Sequence, residues 1–305
     1  MFGIVQLKIK SMRTLLLLLA CSLGLLNAQD LHKNVTSLEL QASTPCDDVM
    51  KSMLQIKESG VIDFIRWNLV LAPNNSFELS IKYGESKPNT LGFVIEYHQE
   101  IKGTFSIQKS SVPKGDIYHL NAANSDLRLS LLKINENLYH LLGPDQQLMV
   151  GNGGWSYSLN RKNPARQKAT FPTLATATLS RATPYVAVFD GRTPCTELAN
   201  EYAIPVSNEC IKLKWRFTLN RDSVTLKPTT YTAIRIFRRA QPITGTWSIE
   251  QKGETTIYQL HPDDKMDEAL QFLVGDDNVL FFLDKQQRLM VGDENFSFAL
   301  NRKMK

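Results

Sequence analysis

Three sulfur side chains at short spacing are the first residues that could do chemistry. Cys46, Met50 and Met53 lie four and three positions apart, which sets them on one face of a helix. A thiolate with two thioethers is a soft donor set suited to Cu(I). The same methionines on an apolar stripe would also serve as core. The histidines His32, His98, His119, His140 and His261 include no two at metal-ligand spacing, so a zinc centre is not expected. Asp263, Asp264, Asp267 and Glu268 gather carboxylates without EF-hand spacing and read as a solvated turn. Gly151-Asn152-Gly153-Gly154 has the composition of a phosphate loop. A second copy of that segment, Gly292-Asp293-Glu294-Asn295, keeps its place without the extra glycines, so a hairpin turn is expected. GxSxG, HExxH and CxxC are all absent. No catalytic residue is assigned, and the chain is read as a non-enzyme.

The N-terminus bears on where this chemistry would take place. Lys8, Lys10 and Arg13 precede an apolar run from Leu15 to Leu26, which ends in Asn27-Ala28. This is the pattern of a secretory signal peptide over residues 1–28, cut at Ala28. Leu18-Leu19-Ala20-Cys21 offers an alternative, a lipobox with Cys21 as the lipid-bearing residue; membrane anchoring is expected only in that case. No other stretch is apolar and long enough for a membrane-spanning segment. The chain has 35 basic and 30 acidic residues, and the three basic ones in the leader leave 32 against 30, a net charge of +2. Such a balance is no footprint for nucleic acid or an anionic membrane. Arg235, Arg238 and Arg239 read as a solvated strand end. In an oxidising compartment two of the three remaining cysteines should pair. Cys195 and Cys210 flank a short helical segment, and joining them would close a loop of fifteen residues. The alternative for the pair is a thiolate metal site.

A repeat organises the elements that would position these residues. LMVGNGGWSYSLNRK at 148–162 recurs as LMVGDENFSFALNRK at 289–303. Gly103-Thr104-Phe105 matches Gly245-Thr246-Trp247; Trp67 matches Trp215; Thr44-Pro45-Cys46 matches Thr193-Pro194-Cys195. Within each copy, Trp155, Tyr157 and Leu159 alternate with Ser156, Ser158 and Asn160, as Phe296, Phe298 and Leu300 do with their neighbours. This period marks a strand with one buried face. Some eight short strands per copy suggest an all-β chain of two tandem up-and-down barrels or sandwiches, and the barrel is favoured because closure leaves no free edge. One short helix is expected near the start of each copy. The first runs over Val49 to Lys57, capped by Asp47 and Asp48 and stopped at Gly60; the second runs over Thr196 to Tyr202. The copies span 29–162 and 184–305, joined by an Ala/Thr/Pro-rich linker at 163–183. Each is expected to fold on its own core.

The second copy resembles the NlpE N-terminal domain, a family of bacterial envelope proteins. The likeness rests on Phe189-Asp190-Gly191-Arg192-Thr193-Pro194-Cys195, a second cysteine, Trp215 to Leu219, Gly245-Thr246-Trp247 and a closing Phe-Ser-Phe strand. It implies a small lipocalin-like barrel and a role in surface sensing or copper resistance. The family's two cysteines are closely spaced, whereas Cys210 follows Cys195 by fifteen positions and the first copy has Cys46 alone. The resulting expectation is an exported protein, secreted or in the periplasm or envelope of a bacterium. It would bind an unidentified ligand or envelope protein. Copper handling is the alternative the resemblance implies, and copper the one cofactor it suggests.

Overall fold

The computed structural model describes residues 37–111, 114–167, 185–235, 241–264 and 269–303. The first copy forms β1 (Leu38–Pro45), α1 (Asp48–Leu54), β2 (Phe64–Leu71), β3 (Ser76–Ser86), β4 (Phe93–Ser111), β5 (Lys114–Ala122), β6 (Arg128–Lys133), β7 (Leu138–Leu142) and β8 (Ser158–Arg161). The second forms β9 (Val186–Pro194), α2 (Thr196–Glu201), β10 (Lys212–Arg221), β11 (Pro228–Arg235), β12 (Ile243–Lys252), β13 (Thr255–Pro262), β14 (Gln271–Val274), β15 (Val279–Leu283) and β16 (Ala299–Arg302). Each set pairs in sequence order and closes, β8 onto β1 and β16 onto β9, giving two closed eight-stranded antiparallel barrels.

Alternation along the strands fills both lumens. In β2, Ile65, Trp67 and Leu69 point inward; in β10, Leu213, Trp215 and Phe217 do the same. The buried indoles need an acceptor, and the repeated threonine supplies it. Trp67 Nε1 donates to Thr44 Oγ1 at 2.8 Å, and Trp215 Nε1 to Thr193 Oγ1 at 3.0 Å. This pairing explains why the Thr-Pro-Cys segment and the tryptophan recur together.

The short helices lie where expected, with differences at their ends. Asp47 is the N-cap of α1, its carboxylate accepting from Met50 N at 2.8 Å. The helix stops at Gln55, which adopts a left-handed conformation and returns its N–H to the carbonyls of Lys51 and Ser52. The chain therefore turns five residues before Gly60. Helix α2 starts at Cys195 without a side-chain cap. Cys195 and Cys210 form a disulfide with Cα atoms 5.9 Å apart, which ties the start of α2 to the segment just before β10.

Each barrel is closed within its own copy and has its own core, and the structure adds one feature to that expectation. Besides the two lumens there is a third apolar cluster, built from both barrels: Leu132, Leu138, Leu142 and Leu148 meet Leu273, Val279, Phe281 and Leu289. The closing strands are thus buried on both sides. Ser156, Ser158 and Asn160, polar and expected outward, are buried, as are Ser297 and Asn301. They face the opposite barrel rather than water.

The contacts across this seam are reciprocal, as in a twofold dimer. Gly151 N donates to Asn301 Oδ1 at 2.7 Å, and Gly292 N to Asn160 Oδ1 at 2.8 Å. Ser156 and Ser297 share a hydrogen bond of 2.5 Å between them. A Cβ at Gly151 would lie 2.2 Å from Trp155 O, and one at Gly292 the same distance from Phe296 O. The repeated glycine of Leu-Met-Val-Gly is therefore required by the tightness of the seam loop. The first residues of the linker also lie along the seam: Asn137 exchanges two hydrogen bonds with Ala165, and Gln167 donates to Leu289 O at 2.6 Å.

Candidate functional site

The seam opens at one end into a cleft of about 260 Å³. The outer faces of the strands build it. Alternation that sends Ile65 and Trp67 into the first lumen turns Phe64 and Arg66 outward; in β10 it turns out Lys212 and Lys214. Ser43 comes from β1, Arg192 from β9, and residues 86–92 between β3 and β4 form one rim. The connections before β8 and β16 contribute Trp155, Asn295 and Phe296. Both connections are shaped by the same turn. Asn152 Oδ1 accepts from Gly154 N and Trp155 N; Asp293 Oδ1 accepts from Asn295 N and Phe296 N. The Gly-rich segment is therefore a side-chain-stabilised turn within the long β7–β8 connection, and its function here is to present Trp155.

Aromatic rings form one wall. Phe93 stacks on Phe64 at 4.1 Å, Phe64 on Trp155 at 4.9 Å, and the Arg192 guanidinium lies 5.3 Å from the Trp155 centroid. Arg66 caps the other end of the stack, 5.8 Å from Phe93. On the opposite wall Lys212 sits 5.5 Å from the Phe296 ring. A guanidinium thus caps the stack at each end.

Charge in the cleft has one sign. Five cationic side chains line it, Arg66, Lys87, Arg192, Lys212 and Lys214, and no carboxylate does. Burial holds the Arg192 guanidinium below its ordinary pKa, against the pull of Asp63. Lys212 is lowered as well, by burial first and then by Arg192 and Lys214. One Nη of Arg66 donates to Leu91 O at 2.6 Å and to Asn295 Oδ1 at 2.9 Å, while its buried Nε has no partner.

The residues singled out from sequence lie elsewhere. Cys46 precedes α1 rather than sitting on it, so the three sulfur residues do not share a helix face. Cys46 is a free, buried thiol, and burial pushes its pKa up to about 12, which disfavours a thiolate. Met50 is fully buried in the first lumen, and Met53 is partly buried against that core. Among the described residues no group of three or more His, Cys, Asp or Glu side chains could hold a metal ion. His140 is buried in the seam, between Ser158 Oγ at 3.0 Å and Met149 O at 2.9 Å. Asp263 accepts from Thr244 Oγ1 at 2.8 Å, whereas Asp267 and Glu268 lie outside the described residues. So do the signal segment with Cys21 and Ala28, and Arg238 and Arg239.

Trp155 and Phe296, expected on the buried face of the closing strands, instead precede β8 and β16 and line the cleft; the cleft as a whole was not visible in sequence because its residues are scattered from Ser43 to Phe296. The available signal was the comparison of the two copies at outward positions, where Ser43 matches Arg192 and Phe64 matches Lys212.

Comparison with known proteins adds no identification: no protein-family model matches the chain, and no curated protein or solved structure is significantly similar to it. Among the described residues no helix is long and apolar enough to cross a membrane.

Proposed function

We propose that this chain is an exported, non-enzymatic binding protein of the bacterial envelope or exterior, which holds its ligand between its two barrels rather than inside either one. The observation that carries the reading is the contrast between the filled lumens and the open cleft. Trp67, Phe77 and Tyr157 occupy the first barrel and Trp215, Phe217, Phe272 and Phe282 the second, each nearly inaccessible to solvent. The space at the seam is instead lined by side chains suited to recognition. Concave sites with a few convergent polar groups are the usual form of small-ligand sites, and rigid strands hold this one. Export is supported by the leader-like N-terminus, by the Cys195–Cys210 disulfide and by the resemblance to the NlpE N-terminal domain.

Hydrogen–deuterium exchange on the exported protein tests the site. The protein is compared as isolated and after unfolding, dialysis and refolding to strip any bound molecule, with native mass spectrometry reporting the adduct. Slower exchange at 86–92 and 151–156 in the loaded form is expected. Protection confined to a barrel end, such as the surroundings of Arg221 and Tyr258, would refute binding at the seam.

A further inference from the structure

The cleft holds more positive charge than the described residues neutralise. Lys214 and Arg192 are direct partners across β10 and β9, and like charges placed opposite each other destabilise a sheet. Two residues along, the rungs behave as expected: Arg216 meets Asp190 and donates twice to its carboxylate, at 2.8 and 2.7 Å. Asp190 is thereby engaged. Asp63, the carboxylate that most affects Arg192, is held by Ser86 through its N–H at 2.7 Å and its hydroxyl at 2.5 Å. Among the described residues Arg66, Lys87, Arg192, Lys212 and Lys214 form no ion pair. Arg66 Nε is buried without an acceptor, and an unpaired buried donor keeps its desolvation cost with no hydrogen bond to offset it. Repulsion, partial desolvation and an orphaned donor all meet at one concave place.

We propose that the cleft between the barrels binds a multiply charged phosphoryl-type oxyanion, either free or as the head of a larger molecule. The proposal rests on the reading that the seam cleft is the ligand site. A neutral ligand would leave the Lys214–Arg192 repulsion in place, and a single carboxylate would offset only part of it. A phosphoryl or diphosphoryl group supplies several acceptors and more than one negative charge. It suits guanidinium forks alongside ammonium point charges. The volume, about 260 Å³, admits such a head and little more, so a larger molecule would extend out past residues 86–92.

Isothermal titration of the full exported chain at low ionic strength tests this, with Trp155 fluorescence followed alongside and Trp155→Phe as the blank. The arms are inorganic diphosphate, a hexose 6-phosphate, vesicles containing phosphatidic acid, a phosphomonoester lipid, against phosphatidylcholine alone, and the neutral hexose. At least one phosphoryl arm is expected to bind, with a change in the Trp155 signal and an affinity that falls as salt rises. The hexose phosphate or the anionic vesicle binding more tightly than diphosphate identifies the source of the head. Lys214→Glu should weaken binding more than tenfold while shifting the urea midpoint of the free protein upward, because it replaces a repulsion with a pair; that shift separates lost binding from lost folding. Lys102→Ala, on the exposed outside of the first barrel and paired with Glu78, should leave affinity unchanged. Failure of every phosphoryl arm overturns the proposal. Binding of the neutral hexose alone, with a Trp155 response, overturns the oxyanion while leaving the cleft as the site. Anion binding that is insensitive to Lys214→Glu and leaves the Trp155 signal unchanged overturns both.

Discussion

In the first barrel the outer faces of β1 and β2 bring Ser43, Phe64 and Arg66 to the cleft; in the second, the same rungs of β9 and β10 bring Arg192, Lys212 and Lys214. A short distance along the seam the copies match instead: Asn160 and Asn301, Ser156 and Ser297, Gly151 and Gly292 make the same contacts in both directions. Positions that must satisfy the opposite barrel are held alike by reciprocity, and positions facing open space have diverged. The first copy supplies Phe64 and Trp155 with Arg66 and Lys87, and the second supplies three cations with Phe296, so the duplicated frame makes one asymmetric site rather than two equivalent ones.

Breaking the seam should have the largest effect. Phe281→Ala removes a ring from the shared core and should cost about 3–5 kcal/mol in urea unfolding. Residues 185–305 expressed alone would expose that face. The fragment should self-associate through it in size-exclusion chromatography with light scattering. A monomeric fragment as stable as the full chain would show that the seam contributes nothing to the second barrel.

The second barrel closes its helix loop with a disulfide, and the first has only the buried thiol of Cys46. In the first copy buried Ile62 occupies the corresponding region. Replacing Cys195 and Cys210 together by serine should lower stability by roughly 3 kcal/mol, the chain-entropy value for a loop of this size. Cys46→Ala should cost markedly less. Chemical denaturation without reductant measures both; equal losses would mean the disulfide adds nothing beyond ordinary packing.

A matched turn sharpens the comparison by charge. Asn135 accepts from Asn137 N and Leu138 N; Asp276 accepts from Asn278 N and Val279 N in the same place. Burial raises the Asp276 carboxyl from 3.8 to about 6. A folded pKa above the unfolded one means that the native state binds its proton more tightly, so stability falls as pH rises from about 4 to 6 and stays low above that. Asp276→Asn should therefore stabilise the protein at pH 8 by at most about 3 kcal/mol and little near pH 4. A gain independent of pH would contradict this.

His140 stands where the second barrel has Phe281, and the two rings meet edge to face. Burial lowers the His140 pKa from 6.5 to about 4, with the Met149 carbonyl opposing. The unfolded chain then binds the proton more readily, so stability falls as pH drops from about 6.5 towards 4. The loss should reach about 2 kcal/mol near pH 5. His140→Phe should start less stable at pH 7.5, since Ser158 and Met149 lose their partner, but fall less steeply with acid. An unchanged acid slope would remove His140 as its cause.

The strand periodicity of Trp67, Tyr157 and Leu159, the recurrence of Thr44 and Thr193 with a tryptophan, and the pairing of Cys195 with Cys210 were all legible in the residue order. Each depends on alternation or on neighbours close along the chain, and these are local properties. The burial of Ser156, Asn160 and His140 was not, because a polar residue on the outer face of a strand looks the same whether it meets water or a second barrel. Nor was the cleft. Its cations come from β2, the β3–β4 loop, β9 and β10, and they are diluted among acids to a near-neutral total. Strand composition determined that two barrels would close. Only the docking of one barrel on the other put Arg192 against Trp155 and gathered like charges into one desolvated place, because charge density at a surface depends on distance in space and not on separation along the chain.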